Sequence, residues 1–141
     1  MKPQRLPWHH TAWAQFQQRR SQDALPHAWL WGGLAGTGKV ALVLGIAQSL
    51  LCPQPMRDGW ACGQCPSCLW VVQGTHPDLV WARPEEAGRD IRIDAVRQLI
   101  DHLNHTASSA YKIALIYPAE RLTLAAANSL LKTLEEPPPR T

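Results

Sequence analysis

Gly32-Gly33-Leu34-Ala35-Gly36-Thr37-Gly38-Lys39-Val40 is the stretch whose reading decides the fold. It holds the spacing Gly33-x4-Gly38-Lys39. In this pattern small residues let the backbone curl so that N–H groups of residues 35–39 can cradle a phosphate, and the lysine can reach its outer oxygens. The flanks give the pattern its meaning. Ahead of it, Ala28-Trp29-Leu30-Trp31 is a short apolar run, expected to be a buried strand ending at Gly32-Gly33. Behind it, Ala41, Leu42, Leu44, Ile46, Ala47, Leu50 and Leu51 leave almost no polar face between Gly38 and Leu51, which predicts a helix buried on most sides. The candidate cofactor-binding residues are therefore Gly33, Gly36, Thr37, Gly38 and Lys39, at a strand-to-helix turn of a layered α/β domain.

Directly after that helix come Cys52, Cys62, Cys65 and Cys68. A CxxCxxC run with one earlier thiolate supplies four ligands for a tetrahedral ion, and zinc is the metal expected. The segment 52–68 is rich in Pro, Gly and Cys and reads as a small insertion. A secretory h-region is absent from the first residues, and the apolar stretch Val40–Leu51 is too short to span a bilayer. A cytoplasmic protein is expected, and reducing surroundings favour metal over disulfides for clustered cysteines.

The bulk numbers set bounds. The 141 residues suffice for one domain with its own core, and 45% hydrophobic with 18% charged residues is a globular composition. A net charge of +3, with Arg19-Arg20 as the one basic dipeptide, gives no clustered stripe of the kind that grips nucleic acid. Seven Trp against one Phe is unusual and has no functional reading in the sequence.

The other elements follow from periodicity. Residues 12–22 predict an amphipathic helix with Trp13 and Phe16 on one side and Arg20 as a further candidate for it, and Leu69–Gln73 a helical turn closed by Gly74. Leu79-Val80-Trp81 predicts a strand, and Asp94 an N-cap for a helix carrying Val96, Leu99, Ile100 and Leu103. Ile113–Tyr117 suits a parallel strand buried on both faces. Leu124, Ala127, Leu131 and Leu134 mark a helix face expected to pack inward, with Lys132, Glu135 and Glu136 on the polar side. Pro137-Pro138-Pro139 ends that helix. His76-Pro77-Asp78 reads as a turn, not a catalytic pair. Strand and helix alternate in a doubly wound order, a parallel sheet with helices on both faces. The chain stops at Thr141, after a helix and where a further strand is expected, so a fragment of a longer protein is anticipated.

Two places in the chain argue against nucleotide hydrolysis. A hydrolysing loop carries Ser or Thr after its lysine to ligate Mg²⁺; here the residue is Val40, whose methyl groups cannot coordinate a hard cation. The acidic partner is expected at the tip of a later strand, yet the candidate strand Ile113–Tyr117 ends at Tyr117-Pro118 with no carboxylate, and Glu120 comes too late. No catalytic residue and no magnesium site are expected.

Three segments resemble the clamp-loader subunits of bacterial DNA polymerase III: Gly32–Val40 with the cysteines after it, Gly74-Thr-His-Pro-Asp78, and Ala125-Ala-Ala-Asn-Ser-Leu-Leu-Lys-Thr-Leu-Glu-Glu-Pro-Pro138. The resemblance runs from Pro7-Trp8 to Thr141. It implies an AAA+ fold, of which residues 1–141 are the N-terminal part, with zinc held by Cys52, Cys62, Cys65 and Cys68. Val40 and Tyr117-Pro118 make it similar to the delta-prime subunit rather than the gamma/tau ATPase. It further implies a silent stator inside the polymerase holoenzyme, with gamma/tau and delta as partners and the sliding clamp and primed DNA met through the assembly. Whether ATP or ADP is retained at Lys39 stays open. The competing readings are an active gamma/tau-like ATPase and a free zinc-binding nucleic-acid module. The second lacks the Lys/Arg clusters with interleaved aromatics that single-strand binding uses.

Overall fold

The computed structural model describes residues 2–141. They fall into two compact units, one ending at His76 and the other spanning Pro77–Thr141.

The first unit is helical. A short 3-10 turn, Pro7–His9, leads into α1 (His10–Ser21). The expected buried side of α1 is confirmed, with Trp13 and Phe16 packed on Leu42 of α2 (Lys39–Leu51). α2 buries seven of its thirteen residues, including Gln48 and Ser49, so it is the spine of this unit. The two polar residues that α2 buries have partners: Arg20 donates to the Ser49 hydroxyl at 2.9 Å, and Gln48 Nε2 donates to the Cys68 carbonyl at 3.0 Å. α3 (Pro66–Gln73) is longer than the single turn expected. Pro66 sits at its first position, where no N–H is required, and Gly74 closes it at φ +75°.

One expectation fails here. Ala28–Trp31 forms no strand in the described residues. Trp29 and Trp31 instead stack ring on ring, centroids 5.4 Å apart, and Leu30 is exposed. A strand needs a hydrogen-bonding neighbour; without one, the apolar side chains satisfy themselves through ring stacking.

The second unit holds a two-stranded parallel sheet, β1 (Leu79–Ala82) on β2 (Ile113–Ile116), in register Leu79↔Ile113 to Ala82↔Ile116. The crossover between them is α4 (Ile93–Asn104), as parallel strands require. Arg92, not Asp94, precedes the first helical residue; Asp94 lies in the first turn, where its charge favours the helix dipole. Ile91 bridges to Leu122, and with Val96, Leu99, Leu103, Ala126 and Leu130 it forms the core under one face of the sheet. β2 is half-buried along its length rather than buried on both faces. The doubly covered three-strand sheet of the sequence reading is therefore present only in part: two strands, with α4 and α5 sharing the core with Val80, Ala82, Ala114 and Ile116.

α5 (Leu124–Glu135) starts where Thr123 Oγ1 accepts the Ala126 N–H at 3.2 Å, and stops short of the prolines as expected. Its orientation is a correction. Ala126 and Leu130 are buried, whereas Leu124 is 79% and Leu131 53% exposed, with Leu134 outward too. The side toward α4 is crowded by Ile91, Val96 and Leu99, and it is the small Ala126 that fits there.

Candidate metal centre and phosphate loop

α2 carries a candidate site at each end. Lys39 is its first residue and Cys52 its C-cap; thirteen residues at about 1.5 Å each separate them by about 20 Å.

At the C-terminal end the four cysteines converge. Their sulfurs all lie within 4.8 Å of one another, with Cys52–Cys65 at 4.0 Å and Cys62–Cys68 at 3.9 Å. A tetrahedral ion with sulfur at about 2.3 Å has S···S edges of about 3.8 Å, so a small contraction closes the set around a metal. The cysteines are unbridged, and Cys52 and Cys68 are buried. Backbone geometry supports thiolates: the N–H of Cys62 points at Cys52 Sγ (3.5 Å), that of Cys65 at Cys62 Sγ (3.4 Å) and that of Cys68 at Cys65 Sγ (3.4 Å). The Cys62 thiol is pulled down to about 6 by backbone N–H groups of Gln64 and then Cys65. Burial pushes the thiols of Cys52 and Cys68 up. A divalent cation offsets that burial cost, because thiolates bind it directly. The group can hold a metal ion, and its all-sulfur chemistry is compatible with zinc.

Around the cysteines, Ser67 donates to the Leu51 carbonyl at 2.8 Å, and its oxygen lies 2.9 Å from His76 Nε2. With the hydroxyl proton spent on Leu51, His76 must be the donor, which fixes its tautomer.

At the N-terminal end Gly33, Gly36, Thr37, Gly38 and Lys39 form one continuous turn. Gly36 and Gly38 take φ of +81° and +74°, a region that side chains disfavour. At Gly38 there is also no room for a Cβ, which would meet Leu6 and the His9 ring. Lys39 Nζ is folded back, donating to the carbonyls of Gly33 and Leu34 at 2.6 Å each, and Thr37 Oγ1 donates to Leu34 at 2.9 Å. The Thr37 carbonyl accepts from Trp8 Nε1 at 2.8 Å and from His9 Nε2 at 3.1 Å. Val40 is the second residue of α2. In the other unit, Tyr117-Pro118 follows β2, and Glu120 lies in a 3-10 turn, Ala119–Arg121, past the strand tip.

The sequence reading missed what joins these residues to the N-terminus. Arg5 pairs with Asp58 at 2.8 Å and lies over the Trp60 ring at 4.7 Å; Trp60 stacks on Trp13 with centroids 3.7 Å apart. The abundance of Trp was the available signal. It gave no pairing, because the partners are more than forty residues apart in the chain.

The family model described as "DNA polymerase III, delta subunit" matches residues 8–141. Among curated relatives, "DNA polymerase III subunit delta'" of Pseudomonas aeruginosa is 46% identical over 132 residues, 93% of this chain and 39% of the relative. The Yersinia pestis protein of the same name is 40% identical over 136 residues, 96% of this chain and 40% of the relative. A "DNA polymerase III subunit gamma" from Buchnera aphidicola is 34% identical over 113 residues, 79% of this chain and 30% of the relative. The chain thus spans about two fifths of the length of the delta' relatives. With the match covering all but its first seven residues, the chain belongs to the DNA polymerase III delta subunit family.

Proposed function

We propose that this chain is the N-terminal AAA+ part of a clamp-loader subunit of DNA polymerase III that does not turn over ATP itself. It serves as an assembly subunit alongside gamma/tau and delta in the cytoplasm, and meets the sliding clamp and primed DNA through the complex. The observation that carries this is Val40 directly after Lys39. Mg²⁺ in a working loop is held through a hydroxyl after the lysine and a carboxylate at a strand tip; Val40 has no side-chain oxygen, and the Tyr117-Pro118 pair that follows β2 has no carboxylate. Gly33, Gly36, Thr37, Gly38 and Lys39 then remain as a scaffold turn whose lysine braces its own loop. ATP or ADP, where retained, is a structural ligand.

The four cysteines act in this reading as a structural zinc clip. Four thiolates with no open position close a tetrahedral site, which braces a fold rather than activating water. Zinc here links the end of α2 to α3 and fixes the insertion between them.

The match to a subunit named gamma favours a second reading, an active clamp-loader ATPase. Mixing the protein with purified delta and gamma/tau of the same organism, followed by size-exclusion chromatography, tests the assembly role. Co-elution in one complex is expected; separate elution at micromolar concentration contradicts it.

A further inference from the structure

The N-terminal segment touches both sites at once. At the metal end, Arg5 pairs with Asp58 at 2.8 Å and covers Trp60, and Trp13 stacks on Trp60 while its Nε1 donates to the Asp58 carbonyl at 3.2 Å. Trp60 is two residues before Cys62. Its ring lies so close over Gly45 of α2 that a Cβ there would collide with it. At the loop end, Trp8 and His9 both donate to the Thr37 carbonyl, and Leu6 and His9 close over Gly38. The His9 ring is buried, so its hold on Thr37 is shielded from competing water.

We propose that residues Arg5–Trp13 are a strap that couples metal loading of the four-cysteine insertion to the conformation of the glycine loop about 20 Å away along α2. The strap rests on the zinc reading above. Asp58 and Trp60 lie inside the insertion, whose apolar contacts are the Trp60 ring on the Trp13–Phe16–Leu42 cluster and, around the sulfurs, Ala61 alone. The metal therefore supplies much of its order. When the metal leaves, the Asp58–Cys62 turn is held less firmly, which loosens the ion pair, the carbonyl and the ring face that Arg5 and Trp13 use. The same short segment then holds Thr37 less firmly. Two discrete states of one strap, biased from either end, are what such coupling requires.

Amide hydrogen exchange of the intact protein, with metal content measured in parallel, tests this. Stripping with a zinc chelator is expected to speed exchange of the Leu42 N–H, which donates to the Gly38 carbonyl of the loop at 3.0 Å, on the order of tenfold, alongside the insertion. Trp60→Ala is expected to show fast loop exchange already with metal bound, and little further change on stripping. Since that variant removes a core ring, Trp8→Phe is the companion: it keeps an exposed ring and deletes only the Nε1 donor to Thr37. Its loop should exchange faster with metal bound, while the insertion responds to the chelator as in the parent. A loop unaffected by complete metal removal overturns the strap while leaving the zinc clip intact. A protein isolated without metal overturns both.

Discussion

Lys112 Nζ donates to the Leu103 carbonyl at 2.9 Å, closing the C-terminal end of α4 with a buried positive charge. It also reaches the His102 carbonyl at 3.3 Å. The last carbonyls of a helix have no partner within it and carry the negative end of the dipole, so a cation there satisfies both needs. Lys112→Met keeps the apolar stem and removes the donor. It should lower stability by about 1–3 kcal/mol, the cost of stranding buried acceptors. Urea denaturation reads this directly, and an unchanged midpoint contradicts the capping role.

The metal clip makes a sharper prediction. Cys65→Ser should lower the melting temperature and reduce bound zinc well below about one per chain, because a structural zinc contributes directly to folding. Cys65 donates its sulfur to the set and also accepts the Cys68 N–H at 3.4 Å. Metal analysis after exhaustive dialysis and a thermal melt check this together. An undiminished zinc content would mean three cysteines suffice.

With the metal stripped, the thiols give a pH dependence of definite sign. Burial raises Cys52 and Cys68, so their contribution is complete below the ordinary thiol value of 9.0 and is lost as pH rises past it. Cys62 runs the other way. The N–H groups of Gln64 and Cys65 hold it at about 6, so its contribution is complete above 9.0 and is lost as pH falls through about 6. Urea midpoints of the stripped protein should rise from pH 6 toward 9 and turn down above it. Cys62→Ala should abolish the rise, and a rise that persists in that variant assigns it to another group.

Two leucines separate the interior from the surface of the second unit. Leu99 is 1% exposed, and truncation to Ala should cost about 2–5 kcal/mol. Leu131 is 53% exposed, and the same change should stay within about 0.5 kcal/mol. Equal costs in denaturant melts would mean that Leu131 is packed.

That pair also marks how far the sequence could be read. Apolar spacing locates α2, α4 and α5, because a 3.6-residue period is a local property. It does not say what covers a face, so Leu124, Leu131 and Leu134 read as core although Ala126 and Leu130 take that place. Ala28–Trp31 has strand composition, but strand formation depends on a neighbour that spacing does not reveal. The cysteine set was legible because ligand spacing is itself the chemistry, and its sulfurs do converge. The Trp13–Trp60 stack and the Asp78 carboxylate that accepts the Ser108 N–H at 3.0 Å were not. Each joins residues thirty or more positions apart, and single-sequence patterns carry no such pairing.

The most direct test of the account is Mg²⁺-dependent ATP turnover by the purified protein, measured beside Val40→Thr. No turnover above background is expected in either. The hydroxyl restored at position 40 supplies one magnesium ligand, but Tyr117-Pro118, which follows β2, still supplies no carboxylate. Sustained turnover by the unmodified protein, lost on Lys39→Ala, would contradict the silent-subunit reading and restore the loop as a working ATP site.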